Sequence, residues 1–221
     1  MAKTVLVTGA NRGIGLELCR LLQARGESVI GVCRSSSKEL DALGVRVEAG
    51  IDVQREESVG DLQKRMRGTK LDLLINNAGL LRVDAFGGIG TSDLLAQFET
   101  NALGPVLVTQ ALGDALQSGS KVALITSRMG SIADNTSGSM YGYRMSKAAL
   151  NAAGVSLAHD LKSRGVAVVM LHPGYVRTEM TARNGNTDPG EAAAMLLARI
   201  DELTLETSGR FLHANGEPLP W

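Results

Sequence analysis

Thr4-Val5-Leu6-Val7-Thr8-Gly9-Ala10-Asn11-Arg12-Gly13-Ile14-Gly15 is the stretch of sequence that decides the fold. Its first five residues are β-branched or apolar, which is typical of a strand buried on both faces. Gly9 ends that strand, and Gly13-Ile14-Gly15 opens a helix that we expect to end near Ala24. Glycines at such a turn let the backbone approach a pyrophosphate, and the helix N-terminus offers free N–H groups. The stretch therefore predicts a dinucleotide site formed by Gly9, Asn11, Arg12, Gly13, Ile14 and Gly15, the alternative being a tight turn without a ligand.

Strands and helices alternate along the rest of the chain. Further strands are predicted at residues 28–33, 45–49, 71–75, 121–126, 166–171 and 210–213, and further helices at 37–43, 55–66, 92–116, 143–163 and 189–203. This alternation predicts an α/β fold, a single Rossmann-type doubly wound parallel sheet of about seven strands with helices on both faces. Because the length suits one core and no repeat or linker is visible, we expect one domain over residues 1–221.

The composition excludes several function classes. Lysine plus arginine and aspartate plus glutamate both number 23, so the chain has no general attraction to nucleic acid or to an anionic membrane. No apolar run approaches the length of a membrane span. The two cysteines, Cys19 and Cys33, lie in apolar segments and are interpreted as core residues of a reducing compartment, with neither a disulfide framework nor a metal site. We expect no leader before the first strand and a cytoplasmic location.

The end of the second predicted strand bears on which dinucleotide is bound. A carboxylate there would hold the ribose 2′-hydroxyl, but this chain has Cys33-Arg34-Ser35-Ser36. Arg34 can pair with a 2′-phosphate and Ser35 can donate a hydrogen bond to it, while Arg12 is a second candidate for the same phosphate. The alternative is that Arg34 is a solvated loop charge. We predict NADP(H) in preference to NAD(H).

Two further strand ends carry candidate cofactor residues. Asp52-Val53 follows the third strand and can cap the next helix, touch the adenine, or do both. Asn77-Ala78-Gly79 follows the fourth strand, where small and amide side chains suit a backbone that lies close to a cofactor. A plain turn is the alternative there.

Tyr143 and Lys147 are four residues apart in a good helix-forming segment, so their side chains are predicted neighbours on one helix face. A free phenol has a pKa of about 10, and a nearby cation lowers it. Reaching about 7 would need roughly 4 kcal/mol, of which one lysine could supply part. On spacing alone the pair is better explained as surface residues of an ordinary amphipathic helix.

The joint pattern resembles the short-chain dehydrogenase/reductase superfamily over essentially the whole chain. It is carried by residues 8–15, Asp52, residues 76–79, Asn101, Ser127, residues 143–147 and Pro173-Gly174, in that order. Ser208-Gly209-Arg210-Phe211 with Leu219-Pro220-Trp221, and Met140-Tyr141-Gly142-Tyr143-Arg144, are similar more narrowly to the branch of C-signal proteins and sniffer-type carbonyl reductases.

The resemblance implies roles for individual residues. Tyr143 would be the general acid for carbonyl reduction and the base in reverse, and Lys147 would lower its pKa and bind the nicotinamide ribose. Ser127 would hydrogen-bond the substrate oxygen, and Asn101 would hold a water in a proton relay to Lys147. The nicotinamide would be contacted by Pro173, Gly174, Val176 and Thr178.

This chain departs from the superfamily pattern in two places. The spacing from Ser127 to Tyr143 is 16 residues, longer than is common in the superfamily, so Ser131 is kept as a second candidate. The segment after Thr178 is short, which predicts a small or absent lid over the substrate. Tyr141 has Met145 rather than a lysine four residues on, and is a weaker candidate than Tyr143.

These observations lead to an NADPH-dependent reductase that transfers hydride to a ketone or aldehyde, with no metal. The alternative is an NAD(P)-binding sensor or signalling protein of the same fold. The resemblance also implies a homodimer or homotetramer.

Overall fold

Seven parallel strands form one sheet at the centre of the computed structural model, which describes residues 2–221. They are β1 (Thr4–Thr8), β2 (Ser28–Cys33), β3 (Arg46–Ala49), β4 (Leu71–Asn76), β5 (Leu116–Ile125), β6 (Ala167–His172) and β7 (Arg210–His213). The strand order is β3-β2-β1-β4-β5-β6-β7, and every neighbouring pair is parallel. The order reverses between β1 and β4, so a cleft is expected beyond the carboxyl ends of these two strands.

Helices cover both faces of the sheet. They are α1 (Gly13–Ala24), α2 (Lys38–Asp41), α3 (Glu56–Arg65), α4 (Thr91–Phe98), α5 (Gly104–Ala111), α6 (Tyr141–Lys162) and α7 (Pro189–Glu202). Within β1, Val5 and Val7 belong to one apolar layer, with α1 and α7, while Leu6 belongs to the other, with α3, α5 and α6. Side chains of a strand alternate between faces, so a strand buried on both faces reads as a continuous apolar run. The predicted α/β fold with a doubly wound parallel sheet is confirmed.

The prediction of one long helix over residues 92–116 is wrong. The segment instead contains α4, a π-helical turn (Glu99–Leu103), α5 and a 3-10 turn (Gly113–Ala115), and β5 begins at Leu116. Pro105 has no N–H and cannot donate to the carbonyl of Asn101 four residues earlier, so a regular α-helix is interrupted there. The early start of β5 comes from a pairing between Leu116 and Leu71, with an irregularity in register before the regular ladder.

Within residues 2–221, none of the helices combines the length and the apolar character that crossing a bilayer requires. The same part of the chain contains no group of three or more histidine, cysteine, aspartate or glutamate side chains placed to hold a metal ion.

Candidate active site

A cleft of about 560 Å³ lies where the strand order reverses. Most of the predicted cofactor residues line it, although they come from six separate parts of the chain. These residues are Gly9, Asn11, Arg12, Gly13, Ile14, Gly15, Arg34, Ser35, Asp52, Val53, Asn77, Ala78, Gly79, Tyr143, Lys147, Pro173 and Thr178.

The glycine turn after β1 leaves no room for a side chain at Gly9 or Gly15. A Cβ atom on Gly15 would lie 2.1 Å from the carbonyl oxygen of Gly9, and Gly9 itself has a positive φ of 66°. No side chain caps the first turn of α1, so the N–H groups of that turn are available to an anion. The turn therefore fits the pyrophosphate of a dinucleotide.

Thr8 and Asn77 join the ends of β1 and β4. The Thr8 hydroxyl accepts hydrogen bonds from the backbone N–H groups of Asn77, at 3.0 Å, and Ala78, at 3.1 Å. The Asn77 side-chain amide donates to the carbonyl oxygens of Thr8, at 2.9 Å, and Gly9, at 3.3 Å. Asn77 thus stabilises the start of the glycine turn through these two hydrogen bonds. Thr8 was not among the predicted site residues, because its only signal is a threonine at the end of a strand.

Arg34 and Arg12 are in different electrostatic situations. Arg34 follows the last residue of β2, is exposed, and has no salt bridge within residues 2–221. Arg12 pairs with Glu179, with 2.8 Å between Nη1 and Oε2. Arg34 is therefore the cation that is free to meet a phosphate at the end of β2.

Asp52 holds a turn rather than the end of a helix. Its carboxylate accepts from the N–H of Gln54 at 3.1 Å, while the residue that precedes α3 is Arg55. Of the two roles predicted for Asp52, capping α3 is wrong. Asp52 still lines the cleft, so contact with an adenine remains a prediction.

Lys147 follows Tyr143 by four residues on α6, about one turn of the helix. It is only 3% exposed, its Nζ donates to the carbonyl oxygen of Ile125 at 2.8 Å, and Nζ lies 5.8 Å from the centre of the Tyr143 ring. Burial lowers the pKa of Lys147 to about 7. The neutral form is favoured because a buried ammonium loses its hydration.

The pKa of Tyr143 moves in the opposite direction from the one expected. Desolvation raises it to about 12, and a hydrogen bond with the side chain of Ser127 opposes that rise. The expectation that Lys147 lowers this pKa is not met by the chain alone. The physical reason is that burial disfavours the charged phenolate of Tyr143 more strongly than the Ser127 side chain favours it. Tyr143 therefore holds its proton at neutral pH.

Ser127, rather than Ser131, reaches Tyr143. Ser127 is buried after the end of β5 and its hydroxyl also accepts from the N–H of Met129 at 3.1 Å. The Ser131 hydroxyl accepts from the N–H of Asp134 at 3.1 Å, within the following loop. The longer spacing between Ser127 and Tyr143 is accommodated in that loop.

Asn101 is buried in the π-helical turn, and its side chain is committed to structural contacts. Its Oδ1 accepts from the Leu80 N–H at 2.7 Å, and its Nδ2 donates to the Leu80 carbonyl at 2.7 Å and to the Ser146 hydroxyl at 3.0 Å. Both amide N–H groups are therefore used. A water relay through Asn101 would need its backbone carbonyl, which Pro105 cannot satisfy.

The segment after β6 contributes unevenly to the cleft. Pro173 and Thr178 line it, but Gly174 and Val176 do not. Val176 is buried and forms a bridge with Thr187, and a Cβ on Gly174 would face His213 rather than the cleft. Between Thr178 and α7 the chain forms only one 3-10 turn, Glu179–Thr181.

Several lining residues were not among the predicted cofactor residues. Most of them flank a predicted residue in the sequence, and adjacency was the available signal. They are Val32, Cys33, Ile51, Gln54, Leu80, Thr100, Ile125, Thr126, Arg177, Glu179, Met180, Arg183 and Pro189.

Comparisons with known proteins agree with this geometry. A family model described as short chain dehydrogenase matches residues 3–189. A 1-hydroxy-2-glutathionyl-2-methyl-3-butene dehydrogenase from Rhodococcus sp. (strain AD45) is 45% identical, with 99% of each chain covered. The carbonyl reductase Sniffer of D. melanogaster superposes with a TM-score of 0.93, 29% identity and all of both chains covered. The NADPH-bound carbonyl reductase from chicken fatty liver superposes with a TM-score of 0.87 and 29% identity, with 100% of this chain and 99% of that chain covered. The resemblance predicted from the sequence is confirmed, and the chain belongs to the short-chain dehydrogenase/reductase family of oxidoreductases.

Proposed function

We propose that this protein is an NADPH-dependent reductase of ketones or aldehydes, with Tyr143 as the general acid. The observation that carries the proposal is the position of Tyr143, which lines the same cleft as the glycine turn, with 5.8 Å between its ring centre and Nζ of the buried Lys147. The Ser127 side chain lies near enough to Tyr143 to oppose the rise in its pKa that burial causes. The hydroxyls of Tyr143 and Ser127 can therefore both form hydrogen bonds with one substrate oxygen.

Each side chain has a distinct task in this proposal. The bound nicotinamide supplies the hydride. Tyr143 is protonated at neutral pH, as an ordinary phenol is, and gives its proton to the substrate oxygen as that oxygen becomes more basic. Ser127 donates a hydrogen bond to the same oxygen as negative charge develops on it. Lys147 holds the ribose hydroxyls and returns a proton to the Tyr143 phenolate, and Lys147 is then reprotonated through a water on the carbonyl of Asn101.

The preference for NADPH is supported by charge. Arg34 has no acidic partner within residues 2–221 and lies next to Ser35 on the wall of the cleft. An arginine fork matches the oxygens of a phosphate group. The chicken carbonyl reductase, which superposes on the whole chain, was solved with NADPH.

The test is consumption of NADPH by the purified chain with a panel of ketones and aldehydes. The panel includes an aldehyde that bears a glutathionyl group, since the Rhodococcus relative is named for a glutathionyl compound with a 1-hydroxy group. We expect at least one compound to be reduced to its alcohol with one NADPH consumed per product, and NADH to be used less well. Tight NADPH binding without reduction of any compound would contradict the proposal and favour a sensor.

The proposal also covers the setting of the enzyme. A reducing, cytoplasmic location is supported by two buried free thiols, Cys19 and Cys33. A homodimer or homotetramer is supported by exposed apolar side chains on and beside α4 and α6, including Leu95, Phe98 and Met145. Light scattering of the purified chain measures the assembly, and a monomer at all concentrations would contradict that part.

A further inference from the structure

Asp84 is a buried carboxylate that the function described so far does not use. It lies in the loop after β4, is 6% exposed, and forms no salt bridge within residues 2–221. Its two oxygens accept hydrogen bonds from the backbone N–H groups of Tyr141 and, at 3.0 Å, of Gly142. Since a buried carboxylate is costly without partners, these bonds account for its presence.

The helix that carries Tyr143 begins without a cap of its own. Met140, which precedes α6, has a left-handed backbone (φ 56°) and provides no side-chain cap. The N–H of Met140 donates instead to the carbonyl of Asp84 at 2.9 Å. Three successive N–H groups at the start of α6 are therefore satisfied by one residue that lies 57 positions earlier in the chain. The first turn of a helix otherwise leaves such groups without partners.

The loop that carries Asp84 is itself fixed at two other points. The backbone of Leu80 is held by Asn101, and the N–H of Arg82 donates to Oε1 of the fully buried Gln97 at 2.9 Å. Gly142 packs directly on this assembly, because a Cβ there would lie 2.4 Å from Nε2 of Gln97. Residues 80–84 are therefore linked by hydrogen bonds both to α4 and the π-helical turn and to the start of α6.

We propose that Asp84 is a positioning residue for the reaction, which sets the location of Tyr143 relative to Ser127. The inference rests on the proposed function. Tyr143 follows Gly142 in the first turn of α6, where a helix frays when its N–H groups lose their acceptors. Lys147 lies one turn further on and is held by Ile125, so its position does not depend on Asp84.

The test compares Asp84→Asn and Asp84→Ala with Asp93→Asn. The asparagine variant keeps the shape but turns one acceptor into a donor that faces an N–H group. Asp93 is the control, because its carboxylate lies on α4, pairs with Arg82 and forms no hydrogen bond or salt bridge with α6 within residues 2–221. The measurements are the single-turnover rate of hydride transfer, the Kd for NADPH, and amide hydrogen exchange of peptides from α6 and β5.

We expect Asp84→Asn to lower the single-turnover rate at least about tenfold and to leave the Kd for NADPH within about twofold. Exchange should become faster at the start of α6 but not in β5, and Asp93→Asn should match the wild type. The inference would be overturned if Asp84→Asn left both the single-turnover rate and the amide hydrogen exchange of α6 unchanged. It would also be overturned if β5 lost as much protection from exchange as α6 and the affinity for NADPH fell as well. If the wild type reduces no carbonyl compound, the proposed function fails, and unchanged exchange at the start of α6 would separately overturn the role of Asp84.

Discussion

Replacing Arg34 with alanine should reduce the affinity for NADPH while leaving that for NADH almost unchanged. Arg34 lies on the wall of the cleft directly after β2 and has no acidic partner within residues 2–221. NADPH and NADH differ only in the 2′-phosphate. A change confined to NADPH therefore reports on the contact between that phosphate and the arginine.

The expected magnitude follows from the exposure of Arg34. A hydrogen bond to a charged group contributes about 1.5–3 kcal/mol, and solvent around an exposed side chain reduces this to about 1–2 kcal/mol. At about 1.4 kcal/mol per factor of ten, the Kd for NADPH should rise about 5- to 30-fold. Arg12→Gln should have the smaller effect, because the charge of Arg12 is already paired with Glu179 at 2.8 Å.

Isothermal titration of wild type, Arg34→Ala and Arg12→Gln with both reduced cofactors measures these differences. Raising the salt concentration should narrow the gap between wild type and Arg34→Ala for NADPH, because exposed charges are screened. Equal losses for NADPH and NADH, or a larger selective loss in Arg12→Gln than in Arg34→Ala, would refute the reasoning.

Two further predictions concern the buried lysine and the glycine turn. Burial lowers the pKa of Lys147 from 10.5 to about 7, so between these values the unfolded chain binds more protons than the folded one. Stability should then rise with pH by up to about 1.4 kcal/mol per unit, and urea unfolding of Lys147→Met across this window should lack that rise; parallel curves would contradict it. Gly15→Ala, whose Cβ would lie 2.1 Å from a carbonyl oxygen, should abolish NADPH binding in titrations. The control Gly60→Ala, whose Cβ would have no atom within 4 Å, should stabilise α3 by up to about 1 kcal/mol. Wild-type affinity for NADPH in Gly15→Ala would contradict the prediction and show that the turn can adapt.

The fold was predictable because its signals are local and repeated. Continuous apolar runs mark the strands, as in β1, where Val5, Leu6 and Val7 are all buried. The segment 92–116 was mispredicted, although Gly104-Pro105 lies within it, because its apolar residues continue past the proline. The early start of β5 depends on a long-range pairing between Leu71 and Leu116. No sequence pattern within residues 116–120 predicts that pairing.

The site residues that belong to a recognisable sequence motif could be predicted. Those whose role depends on a contact with a distant part of the chain could not. The glycine turn and the pair Tyr143 and Lys147 are visible as spacings, and the structure places them on one cleft. Thr8 and Asp84 are single polar residues at a strand end and in a loop, and their partners are distant in sequence. The direction of the two pKa shifts depends on burial, which spacing does not reveal.

Single-turnover reduction of a carbonyl substrate by Tyr143→Phe, with the Kd for NADPH measured in parallel, tests the central claim most directly. The phenylalanine keeps the ring on α6 and removes only the hydroxyl, whose pKa is raised by burial and lowered in part by the nearby Ser127 side chain. A general acid contributes about 100- to 10,000-fold, so we predict a loss of that size with the Kd for NADPH unchanged. Turnover at the wild-type rate would contradict the assignment of Tyr143 as the proton donor.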